Sequence, residues 1–186
     1  MRSSASLWAI VLAPLCGLPL PLVPIQILWM NLITDSLPAL SLVFEKEESV
    51  MKTKPRGEKS ILDNIWKFVI IAGIFALAVE LFMYLYGINQ GFDIEKTRTM
   101  VLTTCILFEL FFVYACRSDK PVLKVGLFSN KWLNYAVLIA LSLQLILIYT
   151  PLAGIFKLTS LGISEWIFIL PLALSGLIIF EIGKHI

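Results

Sequence analysis

The sequence ILWMNLITDSLPAL, residues 27–40, places an amide, a hydroxyl and a carboxylate inside a run of apolar residues. The three polar residues are Asn31, Thr34 and Asp35, and Pro38 follows them. An ionisable side chain at the centre of a bilayer costs at least about 2.5 to 3.5 kcal/mol on insertion scales, so a membrane segment rarely carries one without a function or a partner. Two questions follow: whether this stretch spans a membrane, and what its polar residues bind.

The composition around this stretch indicates a polytopic helical membrane protein whose main partner is the lipid bilayer. Of the 186 residues, 59% are hydrophobic, which is more than a soluble domain of this size carries. The apolar runs are continuous rather than alternating, which argues against a transmembrane β-barrel. The net charge is only +2, so we expect no nucleic-acid partner.

Six apolar segments predict an all-α fold, a membrane bundle of about six transmembrane helices. A helix needs about 20 residues to cross the apolar core of a bilayer, so we expect the first segment to be truncated. Pro19, Pro21 and Pro24 lie between the first two segments and predict a tight turn that joins them as a helical hairpin. The segments cover about residues 7–18, 25–44, 65–86, 99–116, 133–149 and 166–182.

The basic residues predict the orientation of the bundle. Ten of them follow the second and fourth segments, whereas only three follow the third and fifth. Because cytoplasmic loops carry the excess of Lys and Arg, we expect loops 45–64 and 117–132, and both termini, on the cytoplasmic side. The ten are Lys46, Lys52, Lys54, Arg56, Lys59, Lys67, Arg117, Lys120, Lys124 and Lys131, and the three are Lys96, Arg98 and Lys157.

The polar residues of the second segment form a candidate cation site. Asn31, Thr34 and Asp35 have the spacing i, i+3, i+4 and share one face of an α-helix. Their hard oxygen atoms suit Ca²⁺ or a similar cation. Pro38 has no N–H for the Thr34 carbonyl, so we expect a break in the helix that offers a further oxygen. The alternative is a polar clamp between helices, with Asp35 protonated.

Three more polar residues lie inside later segments. Glu109 is near the middle of the fourth segment and could supply a second carboxylate to the same site. Glu80 has no polar neighbour in sequence, which favours a packing or interface role. Gln144, in the fifth segment, is a candidate for a hydrogen bond between helices.

The chain resembles the type II P-type cation pumps, which include the calcium pumps of the sarcoplasmic reticulum kind and their prokaryotic counterparts. PIQILWMNLITDSLPALSLVF, residues 24–44, with MKTKPRG, residues 51–57, resembles the sixth transmembrane helix and the cytoplasmic loop after it. TMVLTTCILFEL, residues 99–110, is similar to the eighth helix, and PLAGIFKLTSLGISEW, residues 151–166, to the link between the ninth and tenth. The resemblance implies that residues 1–186 are the C-terminal transmembrane domain, helices five to ten, in the plasma membrane of a prokaryote.

The resemblance also implies roles for individual residues. In this family the NxxTD residues of the sixth helix bind the transported ion, and that role falls on Asn31, Thr34 and Asp35. An acid of the eighth helix, which contributes to a second ion position in two-site calcium pumps, falls on Glu109. Ca²⁺ is therefore the first expectation for the transported ion, and the sequence leaves Mn²⁺, H⁺ and Na⁺ open as alternatives.

The sequence departs from the family pattern in ways that weaken the expected site. The fifth-helix ligands of calcium pumps, an Asn and a Glu, fall on Ser3 and Ser6, and two serines cannot replace a carboxylate charge. Ser36 stands where animal calcium pumps have glycine.

The phosphorylation motif DKTGT, the nucleotide domain, the actuator TGE loop and the PEGL-type fourth helix are not found in these 186 residues. We therefore expect a fragment or one piece of a split pump, with the rest of the pump as its partner. By itself it would hydrolyse no ATP, since ATP and Mg²⁺ act in the missing domains. The alternative is a stand-alone membrane interaction or regulatory module, or a decayed gene product, that moves no ions.

Overall fold

The computed structural model describes residues 17–42, 66–116, 126 and 130–183, and these residues form helices and turns without a strand. Nearly all of the predicted first segment, residues 7–18, lies outside the described residues, as do most of the two basic loops. The helical elements are α1 (Pro24–Asn31), a π-helical turn (Leu32–Ser36), α2 (Leu37–Leu42), α3 (Trp66–Asn89), α4 (Ile94–Cys116), α5 (Lys131–Tyr149), α6 (Leu152–Ile155) and α7 (Ile163–Gly183).

The elements have the lengths that a membrane requires. Helices α3, α4, α5 and α7 are each long and apolar enough to cross a bilayer. α1, the π-turn and α2 follow one another without a gap and form a composite helix, residues 24–42. At 1.5 Å per residue this composite helix extends about 28 Å, close to the thickness of the apolar core. The prediction of a helical membrane bundle is confirmed.

The observed helices extend a few residues beyond the predicted segments, and α4 shows why. The apolar run was predicted to begin at Thr99, but α4 begins at Ile94. Its first five residues include Glu95, Lys96 and Arg98, which lower the local hydropathy without preventing a helix. Hydropathy therefore marks the part of a helix inside lipid, whereas the helix itself reaches into the polar boundary.

Helix α4 lies at the centre of the bundle. In its membrane-spanning part 78% of the residues are buried, against 28 to 39% in the other three spanning helices. α3 and α7 pack against α4 and against each other. The composite helix and α5 pack against each other and also contact α4. The central helix therefore joins two helix pairs.

Small residues let the helices around α4 approach closely. A Cβ atom added to Gly176 of α7 would collide with the ring of Phe108 on α4. Gly87 lies near the end of α3, and a Cβ atom added there would come within 2.7 Å of the Thr97 side chain at the start of α4. Such small-residue contacts are typical of membrane helices, because close van der Waals packing replaces the hydrophobic effect there. Four phenylalanine rings with centroids 4.8 to 6.3 Å apart fill the centre between α3, α4 and α7: Phe75, Phe108, Phe112 and Phe180.

Candidate functional site

The composite helix widens into a π-helical turn at Leu32–Ser36, directly after Asn31. In a π-helix each carbonyl accepts from the amide five residues ahead instead of four, and such turns occur frequently at functional sites. The turn contains Thr34 and Asp35, so the irregular backbone coincides with the polar cluster of the sequence. A π-helix is wider than an α-helix. Asn31, Thr34 and Asp35 therefore do not have the α-helical spacing from which we predicted that they share one face.

The predicted break at Pro38 is wrong. The chain stays α-helical through Leu37–Leu42, and Pro38 is buried within it. In a regular α-helix the ring of Pro38 would clash with the Thr34 carbonyl, four residues earlier. The irregularity lies in the π-turn just before the proline, not after it. The missing N–H of Pro38 still removes the α-helical donor of the Thr34 carbonyl, so an extra backbone ligand stays a prediction.

The predicted ligands of the composite helix differ in burial. Thr34 is 2% exposed, and its hydroxyl donates to the Met30 carbonyl at 2.9 Å. That bond uses the hydroxyl hydrogen and leaves oxygen lone pairs that can bind a cation. Asn31 is half-buried at the end of α1. The Asp35 side chain lies outside the described part of the structure, so its role as a ligand stays a prediction.

Helix α4 contributes the remaining predicted ligand. The π-turn packs against α4, and Glu109 is half-buried on that helix. Buried Cys105 of α4 has Glu109 and, from α3, Glu80 within electrostatic range. Sequence reasoning missed that Glu80, which is 1% exposed, shares this neighbourhood, because the two acids belong to different helices. Within the described ranges, His, Cys, Asp and Glu form no cluster of three or more that could hold a metal ion.

The start of the composite helix is fixed by Gln26, which is fully buried. Its Nε2 donates to the carbonyls of Phe156 and Lys157, at 2.9 and 3.3 Å, and its Oε1 accepts from the Val23 amide at 3.1 Å. All three partners are backbone groups that would otherwise need water or another donor or acceptor. Gln26 therefore ties the composite helix to the segment between α5 and α7.

One turn further along, the composite helix is tied to α5 and α4. The indole Nε1 of Trp29 donates to Gln144 Oε1 at 2.9 Å, and Gln144 Nε2 donates to Thr103 Oγ1 at 3.2 Å. The Trp29 ring also meets the Phe156 ring edge-on, with centroids 5.3 Å apart. The prediction that Gln144 forms a hydrogen bond between helices is confirmed.

Three connecting segments meet at one end of the bundle, and we refer to residues 17–23, 90–93 and 150–162 together as the loop end. Two side chains from helices reach the first segment: the Tyr84 hydroxyl donates to the Pro19 carbonyl, and Arg98 Nε donates to the Leu20 carbonyl at 3.0 Å. These bonds attach the loop before α1 to α3 and α4.

The third segment of the loop end is attached in the same way. The Thr159 amide donates to Thr99 Oγ1 at 3.0 Å. Lys96 Nζ lies 2.8 Å from Glu165 Oε1, while Glu165 Oε2 accepts from the Gly162 amide at 2.6 Å. The link between α5 and α7 is thereby fixed to the first turns of α4 and α7.

Known proteins resemble this chain along almost its whole length. Residues 19–186 match the family described as "Cation transporting ATPase, C-terminus". The chain is 38% identical over 164 residues to the "Calcium-transporting ATPase" of Bacillus subtilis, an alignment that covers 85% of this chain and 18% of that protein. It is 36% identical over 189 residues to the human "Calcium-transporting ATPase type 2C member 1", covering 99% and 21%. The chain therefore spans about a fifth of the length of these curated relatives.

Proposed function

The chain belongs to the family of cation-transporting ATPase C-terminal domains, and we propose on this basis that it forms the ion-binding membrane portion of an ATP-driven pump with Ca²⁺ as the transported ion. The observation that carries the proposal is the π-turn, which holds Thr34 and Asp35, follows Asn31 and packs against the helix of Glu109. The relatives' names as calcium-transporting ATPases support the choice of ion.

The ligands suit calcium, although they are too few for a complete site. Ca²⁺ takes six to eight oxygen atoms, including carboxylate, amide and backbone oxygens. The chain offers Asn31, Thr34, Asp35 and Glu109, with a backbone carbonyl of the turn as a further candidate. Other segments of the pump supply the remaining ligands, so the 186-residue chain alone binds Ca²⁺ much more weakly than a complete pump.

The two carboxylates would exchange protons for the cation during transport. Two negative charges held close together away from water would repel each other, so we expect one of the two carboxylates to hold a proton when no cation is bound. The carboxylates must lose their protons to bind Ca²⁺, and affinity therefore weakens as the pH falls. ATP and Mg²⁺ act on the phosphorylation and nucleotide domains of the whole pump, and the resulting movement of the helices switches access to the site.

Residues 1–186 would form helices five to ten of the pump in the plasma membrane of a prokaryote. In the orientation set by the basic loops, both termini are cytoplasmic and the loop end faces the opposite side. Lys54→Cys and Lys120→Cys should react with a membrane-impermeant thiol reagent only in inverted vesicles, whereas Ser160→Cys, at an exposed position of the loop end, should react only in intact cells. Labelling of Lys54→Cys from outside would refute this orientation.

Calcium titration in detergent tests the assignment of the ion site. Asp35→Asn should abolish the binding that the wild type shows, because it removes a charged ligand while keeping the size of the side chain. Asp93→Asn makes the same chemical change at an exposed position of the loop end and should leave binding unchanged. Equal binding by wild type and Asp35→Asn would mean that the polar residues form a structural clamp.

A further inference from the structure

Gln144 connects three helices at one buried point. It is 1% exposed and belongs to α5. Through Trp29 it holds the composite helix two residues before Asn31, and through Thr103 it holds α4 six residues before Glu109. The two elements that carry the candidate ligands are therefore joined by a residue that is not itself a candidate ligand.

The far end of the composite helix has a second tie to the same part of the chain. Asn130, just before α5, is buried, and its Nδ2 donates to the Ser41 carbonyl at 3.4 Å. The π-turn, Leu32–Ser36, lies between this tie and Trp29. On its outer side the turn is open, since Leu32 is 58% exposed. The position of the turn is thus determined by these two ties together with its packing on α4.

The connection through Gln144 is specific because the oxygen and the nitrogen of its side-chain amide each form a hydrogen bond. The side-chain carbonyl of Gln144 accepts from the indole of Trp29, and its amino group donates to the hydroxyl of Thr103. An apolar side chain of similar size would fill the space but could not fix the rotation of either helix. Linked hydrogen bonds between buried side chains can also contribute more than the separate pairs, because each bond polarises the next.

We propose that Gln144 is a positioning residue, which sets the placement of the composite helix against α4. It thereby sets the distance from Asn31 and the π-turn to Glu109, and this distance determines cation affinity. This inference rests on the proposed function for its link to affinity. Its structural part, the ordering of the π-turn, can be measured without any cation.

The first measurement is hydrogen exchange of the full chain in detergent without Ca²⁺, followed by mass spectrometry. In Gln144→Leu, amides of residues 32–36 should exchange about tenfold faster, because two hydrogen bonds that restrain the turn are lost. The matched control is Tyr114→Phe, which removes another bond between α4 and α5, from the Tyr114 hydroxyl to Asn134 Oδ1 at 2.8 Å. This control should leave exchange in the turn unchanged.

The second measurement is calcium titration of the same proteins. Gln144→Leu and Thr103→Val should weaken binding about fivefold to tenfold, the range expected for residues that act without touching the ligand. Thr103→Ser keeps the hydroxyl and should restore binding to within about twofold of the wild type, as should Tyr114→Phe. If Gln144→Leu does not fold, a comparison of Thr103→Val with Thr103→Ser provides the same test in both measurements.

The outcomes separate this inference from the proposed function. Unchanged exchange in the turn overturns the inference, whether or not calcium binds. Faster exchange with unchanged calcium affinity also overturns it, because the connection through Gln144 would then be structural only. If the wild type binds no calcium while exchange still rises in Gln144→Leu, the positioning of the turn is supported and the proposed function fails.

Discussion

The loop end and the π-turn are two polar regions in an apolar bundle, and they use their polar groups differently. At the loop end, side chains such as those of Arg98 and Glu165 bond to backbone groups or charges of another segment. In the π-turn, Thr34 bonds within its own helix, and Asn31, directly before the turn, is half-buried. The first arrangement fixes segments to one another, whereas the second keeps oxygen atoms available to a ligand.

This difference predicts that the two regions can be separated by mutation. Changes at the loop end should lower stability and leave cation affinity intact. Changes at the π-turn or at Glu109 should lower affinity and leave stability intact. The four predictions below test that separation.

The largest effect on stability is expected at Gln26, whose side chain ties the composite helix to the loop end. Gln26→Leu leaves two carbonyls and one amide, all in part-buried hydrogen bonds, without their partner, which should lower the free energy of unfolding by about 3 kcal/mol. Denaturant titration in mixed micelles measures the loss, and Gln90→Leu, at an exposed position of the loop end, is the control. A parallel loss of calcium affinity would show that the two regions are not separate.

The second largest effect is expected at Glu109, on the affinity for calcium. Glu109→Gln should weaken calcium binding about thirtyfold, equal to about 2 kcal/mol, because it removes one of two charged ligands. The free energy of unfolding should change little, since the side chain keeps its size. Glu95→Gln makes the same change in the first turn of the same helix. Similar affinities for the two variants would remove Glu109 from the site.

A smaller effect distinguishes a ligand hydroxyl from a packing group. Thr34→Val keeps the shape of the side chain and should weaken calcium binding about threefold to tenfold, since one neutral ligand is lost. Thr34→Ser restores the hydroxyl and should restore most of the affinity. If the valine and serine variants bind equally well, the Thr34 hydroxyl serves only its bond to Met30.

The smallest effect is expected for the ion pair of the loop end. Lys96 is 31% exposed on its side chain, so water and salt screen its attraction to Glu165. Lys96→Met should lower the free energy of unfolding by less than about 1 kcal/mol in low salt, and the difference should shrink in high salt. Affinity for calcium should stay the same. A salt-independent loss above that size would mean that Lys96 acts mainly through packing on the Phe92 ring.

The helices could be predicted from sequence because the bilayer imposes their length. An apolar run that crosses lipid must be helical, and this rule places α3 and α5 within three residues of the predicted limits. The short helix Leu152–Ile155 was not predicted, because it lies in a link that no membrane constrains. The π-turn was not predicted either, since a polar cluster before a proline is equally consistent with a break.

Contacts between helices could not be predicted, and the physical reason is the similarity of lipid to a protein interior. A helix that is apolar on all sides does not reveal which side faces its neighbours. Gln26 therefore gave no sign of its contact with Phe156, 130 residues away, nor Glu80 of its place within electrostatic range of Cys105. The residues with cation-binding chemistry were identifiable by type, but their neighbours were not.

The π-turn also has a consequence for the tolerance of this chain to deletions. A π-turn places one more residue in the helix than an α-helix would need over the same rise, and each residue of an α-helix turns the chain by about 100°. Removing a single residue such as Ser36 would therefore convert the turn to α-helix with nearly the same rise and overall rotation. The carbonyl of Ser41 would then keep its direction toward Asn130, whereas removing a residue from a stretch that is already α-helical would turn it by about 100°. The chain should therefore tolerate the loss of one residue within the π-turn better than the loss of one residue from α2.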